Sequence, residues 1–234
     1  MDRTLPRRTL VRGAGALGIA SLALPPAAAH ATALEPQTAV DLTGTPFLAG
    51  FSPGNVATTP MPDAANGIPD GSGVSGSFTF SGMTGLSDNR TWFSVNNSSS
   101  FPDIFGGGSY WQFTLSTGAK AVNPAALLIN YMSSVRHTVA VRTDANGYAT
   151  NLRLLTPLVQ DNRVVVNLTG LGTLPPNDSL TIRCFFYGNT SGLSETARMT
   201  GSGSAGTPYD ATLDTTSADH LSRNAVIFGD VIEP

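Results

Sequence analysis

Hydrophobic residues along this chain recur at every second position, in short runs separated by clusters of Gly, Pro, Asn, Asp and Ser. Period two marks a strand with one buried face, whereas an amphipathic helix repeats every 3.6 residues. The run "YWQFTLS" sets Trp111, Phe113 and Leu115 on one face and Tyr110, Gln112 and Thr114 on the other. "ALLINYM" aligns Leu127, Ile129 and Tyr131, with Asn130 facing the opposite way. "HTVAVRT" aligns Val139 with Val141, and "RVVVNLTGL" aligns Val164, Val166 and Leu168. "SLTIRCFFYG" sets Leu180, Ile182, Cys184 and Phe186 against Arg183, Phe185 and Tyr187. Further strands are predicted at Phe47 to Phe51, Ser77 to Ser81, Thr91 to Val95 and in "NLRLL". Residues 189–218 have room for one more, and "NAVIFGDVI" closes the series as an apolar strand broken by Gly229. Roughly eight to eleven such strands in this length predict an all-β, antiparallel two-sheet β-sandwich, jelly-roll-like. No repeat of fixed period points to a propeller or β-helix.

Asp144-Ala145-Asn146-Gly147 has two readings. It opens like a calcium loop, but such a loop needs a bidentate Glu at its twelfth position. Counting from Asp144, that position is Leu155. Asn-Gly between two alternating runs instead signals a hairpin, because both residues tolerate positive φ. The hairpin is the expectation. Asp63, Asp70, Asp103 and Asp178 also sit in loop-like stretches, where Asp caps turns. No cofactor is expected, and a structural calcium clipping two such loops is left open.

The N-terminus changes the picture of location. Arg7 and Arg8 precede a mild apolar run, Pro25 and Pro26 break it, and Ala29-His30-Ala31 follows. A basic head, a short apolar middle and an A-x-A end describe a cleavable export signal. Paired arginines point to the twin-arginine route. Residues 1–31 are read as that signal, cleaved after Ala31, with Ala33 as the alternative. Residues 32–234 are read as a single sandwich domain with a loop-rich first part, 32–76. Secretion, or a periplasmic or cell-surface location, is expected.

Charge narrows the partners. The chain has 13 Lys and Arg against 16 Asp and Glu, and a net charge of −3. Removing Arg3, Arg7, Arg8, Arg12 and Asp2 with the signal leaves nine basic against fifteen acidic side chains. A sparsely charged, acidic chain lacks the clustered Lys and Arg that nucleic acid or anionic lipid requires. No stretch after the signal reaches the length of a membrane-spanning helix. Neither nucleic acid nor membrane is therefore expected as a partner after cleavage. The single cysteine, Cys184, excludes an intrachain disulfide and is read as a small buried hydrophobe.

Catalytic constellations are sparse. His137 and His220 are the histidines beyond the signal, and no G-x-S-x-G turn accompanies them. Glycoside hydrolysis needs two carboxylates facing across a cleft. Glu35, Glu195 and Glu233 all fall in segments that read as flexible, and the predicted strands carry few carboxylates. Sugar binding asks for exposed aromatics to stack on pyranose rings and for amides and guanidinium groups to bond hydroxyls. Trp92, Tyr110, Gln112, Asn130, Arg183, Phe185 and Tyr187 are the candidates for such a face. Arg183, Phe185 and Tyr187 would follow one another at about 7 Å along a strand. A covering loop, Ser191 to Pro208, is the competing reading, in which these aromatics serve stability.

From Tyr110 onward, "YWQFTLS", "LLINYMSS", "TVAVRTDANGYATNL", "LTIRCFFYG" and "NAVIFGDV" follow in order. In that order the chain resembles exported bacterial β-sandwich proteins that often carry carboxy-terminal sorting tags. The resemblance covers about 125 residues and contains no chemical motif. It departs where the group has Asp-Asn-Val and this chain has Asn224-Ala225. It implies a sandwich fold and export, and no particular activity. The expected function is a non-catalytic extracytoplasmic protein that binds glycan or associates with a surface matrix. The alternatives are a structural, self-associating surface protein without a small ligand, and a glycan-active hydrolase or lyase. Oligomeric state has no signal in the sequence.

Overall fold

The computed structural model describes residues 40–53, 56–59, 61–65, 67–86, 92–95, 108–133, 138–155, 162–187, 195–199, 216, 221 and 224–233. The chain divides into two units, Met1–Ala33 and Leu34–Pro234. The first contains the segment read as an export signal, with Arg7, Arg8, Ala29 and Ala31, and lies outside the described residues.

The strands are, in chain order, β1 (Phe47–Phe51), β2 (Asp63–Ala64), β3 (Ser75–Ser81), β4 (Met83–Gly85), β5 (Trp92–Val95), β6 (Ser109–Ser116), β7 (Ala121–Ser133), β8 (Thr138–Thr143), β9 (Arg153–Leu155), β10 (Asn162–Asn167), β11 (Ser179–Tyr187), β12 (Glu195–Met199) and β13 (Ala225–Ile232). The first sheet has the order β1-β13-β7-β12-β5-β4, with β10 also paired to β7. The second has the order β2-β3-β6-β11-β8-β9. Every pairing is antiparallel. The all-β, two-sheet sandwich expected from alternation is the fold.

The inner faces follow the predicted register. Trp111, Phe113 and Leu115 of β6 lie in the core with Leu180, Ile182, Cys184 and Phe186 of β11. Leu127, Ile129 and Tyr131 of β7 and Val164 and Val166 of β10 join the same core from the first sheet. Aromatic contacts run within and between the layers. Trp111 meets Phe186 of its own sheet edge-on at 4.6 Å and, across the sandwich, Tyr131 of the first sheet at 6.3 Å between ring centroids. Cys184 is buried as expected, and burial pushes its thiol well above the ordinary value.

Two expectations about strand ends are corrected. Gly229 does not break the last strand: β13 runs through it, and the register with β7 shifts between Phe228 and Gly229. The shift is a bulge, and Gly229 takes φ 155°, which suits glycine. A Cβ there would collide with the Asn123 carbonyl oxygen. The second correction concerns β7, which starts at Ala121 rather than Ala126 and contains Pro124. Pro124 is registered against Gly229, at the bulge, where a missing N–H is tolerated.

The first sheet also buries part of its outer face. Leu42, Phe47, Ala126, Leu128, Val226 and Phe228 form a second apolar cluster, with Val40, Val165 and Leu221 packed against it. Chain from residues 40–42, before β1, and Leu221, before β13, covers these positions.

Candidate functional site

The predicted binding residues divide between the sheets. Trp92 lies on β5 and Asn130 on β7, both in the first sheet. The Trp92 side chain lies outside the described residues. Asn130 does not present an open face. Its Nδ2 donates to the Leu221 carbonyl at 3.1 Å, and its Oδ1 accepts from Arg163 Nε at 3.5 Å. Asn130 therefore tethers the segment that leads into β13.

Tyr110, Gln112, Arg183, Phe185 and Tyr187 share the outer face of the second sheet. The pairing sets them in rows across the strands. Thr79, Gln112, Arg183 and Arg142 form one row, on β3, β6, β11 and β8. Ser81, Tyr110, Phe185, Ala140 and Leu154 form the next. Directly opposed side chains in such a ladder start about 5 Å apart, close enough to interact.

Arg183 is the centre of this patch. Its Nε donates to Gln112 Oε1 at 2.8 Å. Its guanidinium carbon lies 4.6 Å from the centroid of the Tyr110 ring and 4.5 Å from that of Tyr148. Each cation–π contact contributes about 0.5–1 kcal/mol at a partly exposed site. Tyr110, Gln112, Arg183 and Tyr148 are all half-buried.

Tyr148 comes from the loop between β8 and β9, residues 144–152. β8 and β9 pair as the expected hairpin. The turn, however, is longer than the two-residue one that Asn146-Gly147 suggests. A single 3-10 turn at Asp144–Asn146 comes first. Positive φ then falls on Gly147 at 64° and on Tyr148 at 61°, not on Asn146. The turn is stapled to the sheet at three points. Asp144 Oδ1 accepts the Thr181 N–H at 2.9 Å, the Tyr148 N–H donates to the Thr143 carbonyl at 2.8 Å, and Arg142 Nη1 donates to the Tyr148 carbonyl at 2.7 Å. Arg142 also donates from Nε to Asn151 Oδ1 at 2.7 Å.

The loop explains why Arg142 is only 2% exposed although it faces away from the sandwich core. A buried guanidinium needs hydrogen bonds in place of water, and the loop supplies them. Burial pulls the Arg142 pKa down, while the neighbouring Tyr187 pushes it up. Burial likewise raises Tyr148 and Tyr187, with Arg183 and Arg142 respectively opposing the shift.

Phe185 is the correction that matters most here. It was expected on an open face, and it is 2% exposed. Its ring meets Tyr110 edge-on at 5.4 Å and Tyr148 at 6.4 Å. The competing expectation, a covering loop, holds for this residue, but the described cover is the 144–152 loop rather than Ser191 to Pro208. Most of that second segment lies outside the described residues. Phe185 is thus the floor of the patch, and Tyr110, Arg183 and Tyr148 form its surface. Tyr187 sits at the end of β11, opposite Thr138 and half-buried. The sequence reading missed Tyr148 and Arg142. A signal for Tyr148 was available: an aromatic residue directly after the glycine of a turn, flanked by strands whose outer positions are aromatic and cationic.

Two other concave regions are less suited to a ligand. The same loop lines a cleft of about 390 Å³ with Asn167 and Leu171. Its amides are engaged locally: Asn146 Nδ2 donates to Thr150 Oγ1, and Asn167 Oδ1 accepts from the Thr169 N–H and hydroxyl. A cleft of about 290 Å³ holds Asp70, Lys120, Asp230 and Glu233. There Lys120 Nζ pairs with Glu233 Oε1 at 2.7 Å. Among the described residues no group of three or more His, Cys, Asp or Glu is placed to hold a metal ion. His137 and His220 lie outside the described residues.

No family model matches the chain. No curated protein matches it. Among solved structures it is similar to a family 35 carbohydrate-binding module from an environmental isolate, with TM-score 0.26 and 14% identity over 52% of this chain and 93% of that one. It is also similar to an isomalto-dextranase of Arthrobacter globiformis T6 complexed with panose, with TM-score 0.23 and 11% identity over 56% of this chain and 23% of that one. Likenesses this slight carry no argument about a ligand, so the patch stands on its own geometry.

Proposed function

We propose that this chain is an exported, non-catalytic glycan-binding module that uses the outer face of the second sheet. The observation that supports this reading is the cluster of Arg183 with Tyr110 and Tyr148. Two half-exposed tyrosine rings flank a guanidinium that Gln112 holds in place. Aromatic faces stack on the apolar face of a sugar ring, and fixed N–H donors and amides bond its hydroxyls. Preorganisation lowers the entropy lost on binding, and the strand-borne, hydrogen-bonded Arg183 is preorganised.

The experiment is a glycan array with residues 32–234, alongside a Tyr110→Ala variant. The chain should retain a restricted set of glycans. Tyr110→Ala should weaken that binding about tenfold or more, as loss of an aromatic anchor does. An array without retained glycans would sink the reading. Export by the twin-arginine route belongs to the same proposal, on the strength of Arg7, Arg8 and the Ala29-His30-Ala31 end. Lys at both Arg7 and Arg8 should leave unprocessed precursor in the cytoplasm, and normal export of that variant would exclude the route.

A further inference from the structure

The electrostatics of the patch point to one class of sugar. Arg183 on β11 is registered directly against Arg142 on β8. Like charges directly opposed on neighbouring strands repel, and burial of Arg142 weakens the screening that water would give. The loop's own acid, Asp144, turns its Oδ1 to the backbone N–H of Thr181, and its charge also bears on Tyr148. Among the described residues no carboxylate pairs with Arg183, whose polar contact is the single bond from Nε to Gln112. The terminal nitrogens of Arg183 make no hydrogen bond to described residues. Around them lie a neutral amide and two aromatic rings. This locally cationic spot sits on a chain of net charge −3.

A second observation marks the loop itself. Tyr148 holds φ 61°, a left-handed conformation that a residue with a side chain adopts only at a cost. The Arg142 bond to its carbonyl and the Thr143 bond to its N–H hold it there. This backbone places the Tyr148 ring beside Arg183 and against the edge of Phe185.

We infer that the patch selects acidic sugars, with a uronic-acid carboxylate received by the terminal N–H groups of Arg183 and the sugar ring set against Tyr110 or Tyr148. A planar carboxylate matches the guanidinium fork in a way that a hydroxyl does not. The inference rests on the glycan-binding reading and adds the charge of the ligand to it.

The test uses residues 32–234 with polygalacturonate, alginate and hyaluronate, each beside its carboxyl-reduced form, and with polyglutamate as a polyanion that carries no sugar. Binding is measured at about 0.15 M salt, where the Debye length of about 8 Å removes long-range attraction. At least one native polymer should bind ten- to a hundredfold more tightly than its reduced form and than polyglutamate. Arg183→Gln should abolish that preference. Arg183→Lys, which keeps the charge and loses the fork, should recover only part of it, and thermal melting of both variants confirms that each is folded. Equal binding of native and reduced polymers would overturn the inference and leave the glycan-binding reading standing. Equal binding of polyglutamate, or a preference undiminished in folded Arg183→Gln or equalled in Arg183→Lys, would overturn it as well. Failure to bind any native polymer, while the array retains neutral glycans, overturns the inference alone. Failure on both overturns both.

Discussion

The first sheet turns Ala126, Leu128, Val226 and Phe228 away from the sandwich core; the second turns Tyr110, Gln112, Arg183 and Phe185. Both sheets are built on the same alternation, and both recruit chain to cover these outer positions. The coverings differ in kind. Over the first sheet the described cover is apolar, made by Val40, Leu42 and Leu221 against a buried cluster. Over the second it is a polar loop held by side-chain to backbone bonds, and it shelters Phe185 and Arg142 while leaving Tyr110, Gln112 and Arg183 half-exposed. Aliphatic outer residues have nothing to offer a polar ligand, so covering them gives stability alone. Aromatic, amide and guanidinium groups retain directional chemistry at their edges, so partial cover leaves a site. The burial of an outer face therefore says little until its side chains are read.

The sharpest way to break this comparison is to truncate one residue under each cover. Phe228→Ala, beneath the apolar cover, should cost about 3–5 kcal/mol, the range for a buried Phe. Denaturant unfolding measures it. A loss near 1 kcal/mol would mean that the cover collapses into the cavity, and the outer cluster would then be soft rather than a second core. Phe185→Ala should cost less, roughly 2–4 kcal/mol, because its cover consists of ring edges and a loop that can settle inward. If Phe185→Ala left stability unchanged, the loop would be open in solution and the ring free for ligand.

How far the sequence disclosed all this depends on the range of the interaction. β6 and β11 were legible because their period-two pattern is strong and their inner residues large; Trp111, Phe113, Ile182 and Phe186 have no alternative place. β2 and β4, of two and three residues, were not, since nothing so short shows a period. Tyr110, Gln112 and Arg183 were correctly grouped because they lie on neighbouring positions of one face. Phe185 was placed on that same face correctly, and its burial was not legible. It depends on a loop whose path is set by Arg142 reaching the Tyr148 carbonyl and Asn151, contacts six and nine residues away. Asn130 failed for a similar reason. Its partner is the Leu221 carbonyl, 91 residues along the chain. Local pattern tells which way a side chain points, and only tertiary contact tells what arrives to meet it.

The smallest expected change in stability sharpens the comparison most. Tyr148→Gly removes a ring that covers Phe185 and lies beside Arg183. That loses a cation–π contact of about 0.5–1 kcal/mol, some packing and a half-exposed side-chain hydrogen bond with Thr181. It also frees a φ of 61° that glycine adopts without cost, which returns about 1 kcal/mol. The backbone bonds to Thr143 and Arg142 need no side chain at position 148, so the loop should keep its path. The two effects nearly cancel, and the net change in stability should stay within about 1 kcal/mol. Glycan binding, in contrast, should fall about tenfold or more, because one of two stacking rings is gone. Melting and binding are therefore measured on the same preparation. A loss of stability as large as that of Phe185→Ala, with binding intact, would make Tyr148 a structural cover and reduce the second sheet to a variant of the first. Unchanged stability with lost binding would set the two faces apart: one covered for the fold, the other kept partly open for a ligand.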